Sequence, residues 1–265
     1  MKAIAAGLAK EGFRPVCGIY STFLQRAFDQ IIHDVCLQNL PVVFAIDRAG
    51  IVGEDGATHQ GIFDLSYLRI IPNLVIMAPK DENELQHMLK TALVLNQPAA
   101  VRYPRGLGMG VTLDSEIKTL PVGKGEILCD GEDIVLLAIG NTVHLSLVAA
   151  SQLKKQKIRA AVVNIRFLKP MDEQLLRKVT QKKRVIVTIE ENALAGGLGS
   201  AIREVLHDSA VPIYSIGLPD VFIEHGTPDI LREAYGLTSE KIVKKIRHIL
   251  ESEKKRTIRH FFGKQ

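Results

Sequence analysis

The chain has 265 residues, 46% hydrophobic and 24% charged, an ordinary globular composition long enough for two domains of about 100–150 residues each. Its formal net charge of +5 is local: residues 241–265 hold nine Lys/Arg and two Glu, a surplus of +7 that leaves −2 on the other 240 residues. The body is therefore near neutral, the basic end reads as a solvated terminus, and neither a nucleic-acid partner nor a membrane is implied.

The amino-terminal stretch AIAAGLA is ended after seven residues by Lys10 and Glu11, too short for a membrane span, and no longer apolar run follows. Cys17, Cys36 and Cys129 are odd in number, far apart and set among apolar neighbours, which predicts buried thiols in a reducing compartment.

Short β-branched runs then alternate with helical periodicity. Strands are predicted over Arg14–Ile19, Val42–Asp47, Leu74–Ala78 and Ala99–Tyr103. Between them come a helix opening at Ser21 (STFLQRAFDQIIHDVCLQ), a shorter one from Asp64, and one from Asp81, where Asp81 can cap the first turn and Glu84 takes the third helical position. From Gly106 to Gly125 five glycines, a proline and scattered polar residues mark a linker, drawn most tightly at 111–123. A second alternation follows, with strands at Asp133–Ile139, Ile158–Ile165, Arg184–Glu190 and Pro212–Ile216. Its helices are Thr142–Gln156, one from Asp172, one from Gly199 and two at the end. The expected architecture is α/β with two domains, 1–110 and 124–251, each a mostly parallel sheet flanked by helices, and a basic tail over 252–265.

The segment Arg48–Gly61 (RAGIVGEDGATHQG) places four glycines around Asp55 and His59 directly after the apolar run Val42–Ile46. Open α/β sheets bind ligands at loops leaving the carboxyl ends of strands, and glycine lets a ligand approach the main chain. Asp55 reads as a loop acceptor or an Asx turn, and His59 as a proton-transfer group or a satisfied imidazole. No third ligand has the spacing of a metal site.

Several runs carry a resemblance: YSTFLQRAFDQIIHD (20–34), FAIDRAGIVGEDGATHQGIFD (44–64), PNLVIMAP (72–79), VRYPRG (101–106), and the later EENALAGGLGS and IEHGT. Together they resemble the 1-deoxy-D-xylulose-5-phosphate synthase family, a branch of the thiamine-diphosphate-dependent transketolases. The likeness covers residues 3–250 in order and corresponds to the family's pyrimidine-binding and C-terminal domains. The family's GDG…N pattern for diphosphate and Mg²⁺ has no counterpart here, since Asp55-Gly56 follows Glu54 and no Asn is suitably placed. Its E-Q-H glutamate would fall just before the stretch that begins at Met1. The resemblance thus implies a truncated or split synthase, inactive unless an amino-terminal cofactor domain or separate chain is supplied; the alternatives are a transketolase-like partner subunit with other substrates and a non-catalytic dimerising module.

By residue type alone Phe23 is a core aromatic, and Tyr20, Arg48 and Arg105 are surface or salt-bridging groups. The resemblance implies instead that Phe23 stacks on the aminopyrimidine of thiamine diphosphate, and that Tyr20, Arg48 and Arg105 hold the phosphate of glyceraldehyde 3-phosphate. It points Asp55 at a substrate hydroxyl and His59 at proton transfer. The implied reaction joins pyruvate to glyceraldehyde 3-phosphate with loss of CO2, giving a precursor of isoprenoids, thiamine and pyridoxal. The implied setting is a homodimer in the cytoplasm, or in the plastid of a eukaryote. Arg102, separated from Arg105 by Pro104, reads as structural. Glu190, Glu191 and the GGLGS turn read as a tight strand-to-helix connection, and Glu224 and His225 as structural or interfacial.

Overall fold

The computed structural model describes residues 2–262, with side chains over 3–256. Among the described residues ten strands form two five-stranded sheets. The first has the order β1 (Val16–Tyr20), β2 (Val43–Asp47), β4 (Ala99–Arg102), β3 (Val75–Met77), β8 (Phe167–Lys169). The second runs β10 (Ile213–Leu218), β9 (Val185–Ala193), β6 (Ile134–Ala138), β7 (Ala160–Asn164), β5 (Glu126–Cys129). Within each sheet four strands are parallel and one edge strand, β8 or β5, is antiparallel. Strands β6, β7 and β9 are buried along their whole length; β6 and the first four residues of β7 therefore read as unbroken apolar runs rather than alternating ones, whereas β9 also buries Thr188, Glu190, Glu191 and Asn192.

Four features depart from the sequence expectation. Strand β8 belongs by position to the second half of the chain yet pairs with β3 as an edge strand of the first sheet, so the C-terminal half contributes a strand to the first sheet and not merely a surface. Strand β5 adds an edge where linker was expected to give way directly to β6, and Cys129 on it is half-exposed, so only Cys17 and Cys36 are core thiols. The helix from Ser21 is helical through Cys36 but uneven, tightening over Gln25–Ala27 and widening over Ile31–Cys36. At the other end, the helix Ser239–Phe262 continues through much of the expected tail, whose last three residues lie outside the described ones.

One apolar core runs under both sheets, joining Phe44, Ile46 and Ile76 of the first to Val135, Leu137 and Val163 of the second. The linker is bound rather than loose. Glu82 accepts the successive amide N–H groups of Met109, Gly110 and Val111 at 2.9, 2.6 and 3.0 Å, and Thr91 Oγ1 accepts that of Leu120 at 2.8 Å.

Asp81 caps the helix Glu82–Val94 by accepting the Glu84 N–H at 2.8 Å, as its sequence suggested. The Glu84 side chain is buried, however, and reaches into the second sheet. It accepts from Asn164 Nδ2 at 3.0 Å and from Arg166 Nε at 2.6 Å, while Arg166 Nη2 donates to Glu126 at 2.7 Å. Removing one partner of a buried ion pair strands the other charge. Glu84→Leu should therefore cost about 3 kcal/mol in urea unfolding and displace one shared transition for both sheets. Glu126→Gln, at the more open end of the same network, should cost less than about 1 kcal/mol.

Candidate active site

Parallel pairing places the carboxyl ends of neighbouring strands on one edge, and β1, β2 and β4 are neighbours. Tyr20 ends β1 opposite Asp47, and Ile46 of β2 lies opposite Arg102 of β4. The chain leaves β2 through Arg48, whose φ of +56° is rare for a residue with a side chain, and whose N–H donates to Asp47 Oδ1 at 2.7 Å. Two short hydrogen bonds, Gly50 N to Gly61 O at 2.7 Å and Gly61 N to Gly50 O at 2.9 Å, then close the loop at its neck. Any Cβ at Gly61 would lie 2.2 Å from the Arg48 carbonyl oxygen, so only glycine fits there.

All six candidate residues come together on this edge. The Tyr20 and Phe23 rings stack at 5.5 Å between centroids, and Phe23 meets the His59 imidazole edge-on at 5.4 Å. Phe23 is 39% exposed, so it is not the core aromatic that residue type alone suggests. The Arg48 guanidinium covers the Tyr20 ring at 4.1 Å. Asp55 Oδ2 bridges two cations, accepting from Arg48 Nη1 at 2.6 Å and from Arg105 Nη1 at 3.1 Å. Thr58 Oγ1 lies 2.9 Å from His59 Nδ1, and the Thr58 carbonyl accepts from Thr22, which ties the loop to the helix carrying Phe23. Among the described residues no group of three or more His, Cys, Asp or Glu could hold a metal ion, and no helix is long and apolar enough to cross a membrane.

Beneath this surface lies a polar layer whose reach the sequence does not reveal. Arg102 is buried; its Nε donates to Asp64 Oδ1 at 2.7 Å and its Nη2 to the Glu191 carbonyl at 2.8 Å. Glu191, also buried, pairs with Arg232 and accepts the Ile51 N–H. Glu190 accepts the N–H groups of Leu198 and Gly199 at 2.7 and 2.8 Å, and a Cβ at Gly197 would lie 2.1 Å from its carboxylate. The only sequence signal was two adjacent acids closing an otherwise apolar strand.

Two mostly parallel sheets with an aromatic, glycine-rich and arginine-lined edge define a chain of transketolase type. The family description "Transketolase, pyrimidine binding domain" matches residues 1–110, and "Transketolase, C-terminal domain" matches residues 123–242. A solved structure titled "Split gene transketolase, inactive beta4 tetramer" superposes with a TM-score of 0.84 at 34% identity, covering 92% of this chain and 79% of that one. The chain belongs to the transketolase family.

More narrowly, it is 57% identical over 259 residues to a protein of Desulforudis audaxviator named 1-deoxy-D-xylulose-5-phosphate synthase, and 54% identical over 255 residues to one so named from Heliobacterium modesticaldum. It covers 40% and 39% of those relatives' lengths, against 97% and 96% of its own. A transketolase structure from Campylobacter jejuni, at 24% identity and a TM-score of 0.75, shares the fold.

Burial pushes the Glu190 carboxyl up to about 7 from its ordinary 4.5, against the opposing pull of the Gly199 and Leu198 amides and of Arg102 and Arg69. A carboxyl raised on folding binds its proton more tightly in the native state. Its contribution is therefore full below pH 4.5 and is lost as pH rises through about 7. Glu190→Gln should remove that slope. Urea unfolding at pH 4.5 and pH 8 should show the variant gaining on the parent by up to about 3 kcal/mol across the interval.

Proposed function

We propose that this chain forms the pyrimidine-binding and C-terminal portion of a 1-deoxy-D-xylulose-5-phosphate synthase, condensing pyruvate with glyceraldehyde 3-phosphate with loss of CO2. The observation that carries the reading is the convergence of Tyr20, Phe23, Arg48, Asp55, His59 and Arg105 on one sheet edge, in a chain 54–57% identical to proteins of that name.

An exposed aromatic face beside an imidazole suits the aminopyrimidine end of thiamine diphosphate. What the cofactor supplies is an electron sink for the two carbons that pyruvate keeps. The diphosphate and its Mg²⁺ are assigned to the family's other domain, in the same or a separate polypeptide.

Phe23 offers its ring to the pyrimidine, and Tyr20, stacked on that ring, adds its phenol hydroxyl to the substrate-phosphate site. Arg48 and Arg105 form a cationic clamp for the substrate phosphate, whose oxygens match guanidinium forks. Their present partner is Asp55. The arriving phosphate competes with that carboxylate for the clamp and frees it to face the substrate hydroxyl. With Nδ1 engaged by Thr58, His59 keeps Nε2 for proton transfer. Two protomers make the working assembly, in the cytoplasm or a plastid.

A second reading, a subunit of a split transketolase-type enzyme with other substrates, is favoured by the likeness to the split-gene chain, at a lower identity of 34%.

Two measurements decide. Titrated alone with thiamine diphosphate and Mg²⁺ in a calorimeter, the chain should show no micromolar binding. Combined with the cofactor-anchoring domain of a relative, it should convert the two substrates to deoxyxylulose phosphate; a folded, cofactor-loaded assembly that makes none rejects the synthase reading. In that assembly Arg105→Ala should weaken use of glyceraldehyde 3-phosphate by about 1.5–3 kcal/mol in kcat/KM and leave the KM for pyruvate unchanged, with Arg105→Lys recovering only part. A parallel rise in both KM values would assign Arg105 to structure.

A further inference from the structure

The loop bearing Asp55 and His59 is held from the second sheet. Just past its closed neck, the Ile51 N–H is accepted not by main chain but by Glu191 Oε1 at 2.8 Å. Glu191 lies on β9 with its side chain wholly buried, and Arg232 fixes the carboxylate plane: Nε donates to Oε2 at 2.8 Å and Nη2 to Oε1 at 3.2 Å. The helix that carries Arg232, Pro228–Ala234, also presses on the loop. A Cβ at Gly53 would lie 2.6 Å from Pro228 Cδ. A second tether runs beside the first: Gln60 accepts the Val52 N–H at 2.8 Å and donates to the Glu224 carbonyl at 3.2 Å. One residue beyond Ile51, the Val52 carbonyl accepts from Arg105 Nη1 at 3.4 Å.

Buried ion pairs contribute little net stability, because desolvation offsets their attraction, and an apolar pair of similar volume often serves as well. What such a replacement would not supply here is a fixed acceptor for Ile51. We propose that Glu191, oriented by Arg232, is a positioning residue of the C-terminal domain: it fixes the main chain at Ile51 and thereby places the Val52 carbonyl and Asp55 against Arg105 and Arg48. This gives the C-terminal domain a part in the aldehyde-phosphate site without touching the substrate. It rests on the reading of the two arginines as a phosphate clamp.

Two double variants separate the hydrogen bond from the charge. Glu191→Leu with Arg232→Met removes both; Glu191→Gln with Arg232→Met removes the charges and keeps an acceptor for Ile51. In the 265-residue chain, amide exchange over residues 50–56 should rise about tenfold in the leucine pair relative to both the parent and the glutamine pair, with β6 and β9 still protected and Tm little changed. In the cofactor-loaded assembly the leucine pair should raise KM for the phosphorylated aldehyde about tenfold and leave that for pyruvate unchanged, and the glutamine pair should restore most of the loss. Equal exchange in the two pairs, or an equal rise in both KM values, overturns the proposal.

If the leucine pair does not fold, the parent's Ile51 amide decides. Exchange at least about a hundredfold slower than at Ala57 and Thr58 supports the hold, and parity overturns it. Exchange needs no catalysis, so lost protection in an assembly inactive on these substrates rejects the proposed function and leaves the hold standing.

Discussion

A guanidinium cannot shed its charge, so a chain that buries one must bring acceptors to it from wherever they lie. Arg102, 5% exposed at the end of β4, draws on Asp64 at the head of a short helix and on the Glu191 carbonyl of β9 in the other sheet. The first sheet, the segment just after the loop and the second sheet therefore meet at one fixed point. Asp64 is committed to this point too, its Oδ1 accepting both Arg102 Nε and its own neighbour's N–H at 2.7 Å. Removing either partner would leave a charge buried without relief, a heavier cost than any surface pair in the molecule could impose.

Above that point the architecture does simple work. Three adjacent parallel strands end together, so Tyr20, Arg48 and Arg105 arrive from distant parts of the sequence without any long excursion. Glycines at the loop neck then let fourteen residues rise from β2 and return beneath it. The cationic clamp is half-neutralised by its own loop: Asp55 lies between Arg48 and Arg105, and Tyr20 covers one guanidinium face. Preorganised cations that would otherwise repel each other are thus kept side by side.

The strands most buried were the most legible, because a strand covered on both faces leaves a continuous apolar run such as Ile134–Ala138. Strand β8 was not legible: three residues, Phe167–Lys169, directly follow β7 and Arg166, and nothing in them announces that they cross to another sheet. Cys129 misled for a related reason, since apolar neighbours do not reveal that their strand lies at an edge. The loop residues could be read because glycine, aspartate and histidine at that spacing serve few purposes, and because the surrounding runs resembled a family. Glu191 could not, because a carboxylate in a strand takes its meaning from Arg232 and Ile51, which are far away in sequence. Glu84 was read as a helix-start residue, and its distant partners Asn164 and Arg166 were equally hidden.

The pairing of β8 with β3 also bears on how the molecule would come apart. Between β4 and β5 the chain runs for some twenty residues without regular structure; Glu82 and Thr91 pin it at a few amides, but most of it is exposed, so a protease cutting between the two sheets would cut here. Cleavage there would not yield two free halves, since β8 would still be hydrogen-bonded to β3 and the common core would still be closed. To part them, β3 would have to give up its outer neighbour and expose a naked sheet edge, a template for aggregation. A nicked chain would therefore stay a single folded object until the β3–β8 pairing and the common core open together.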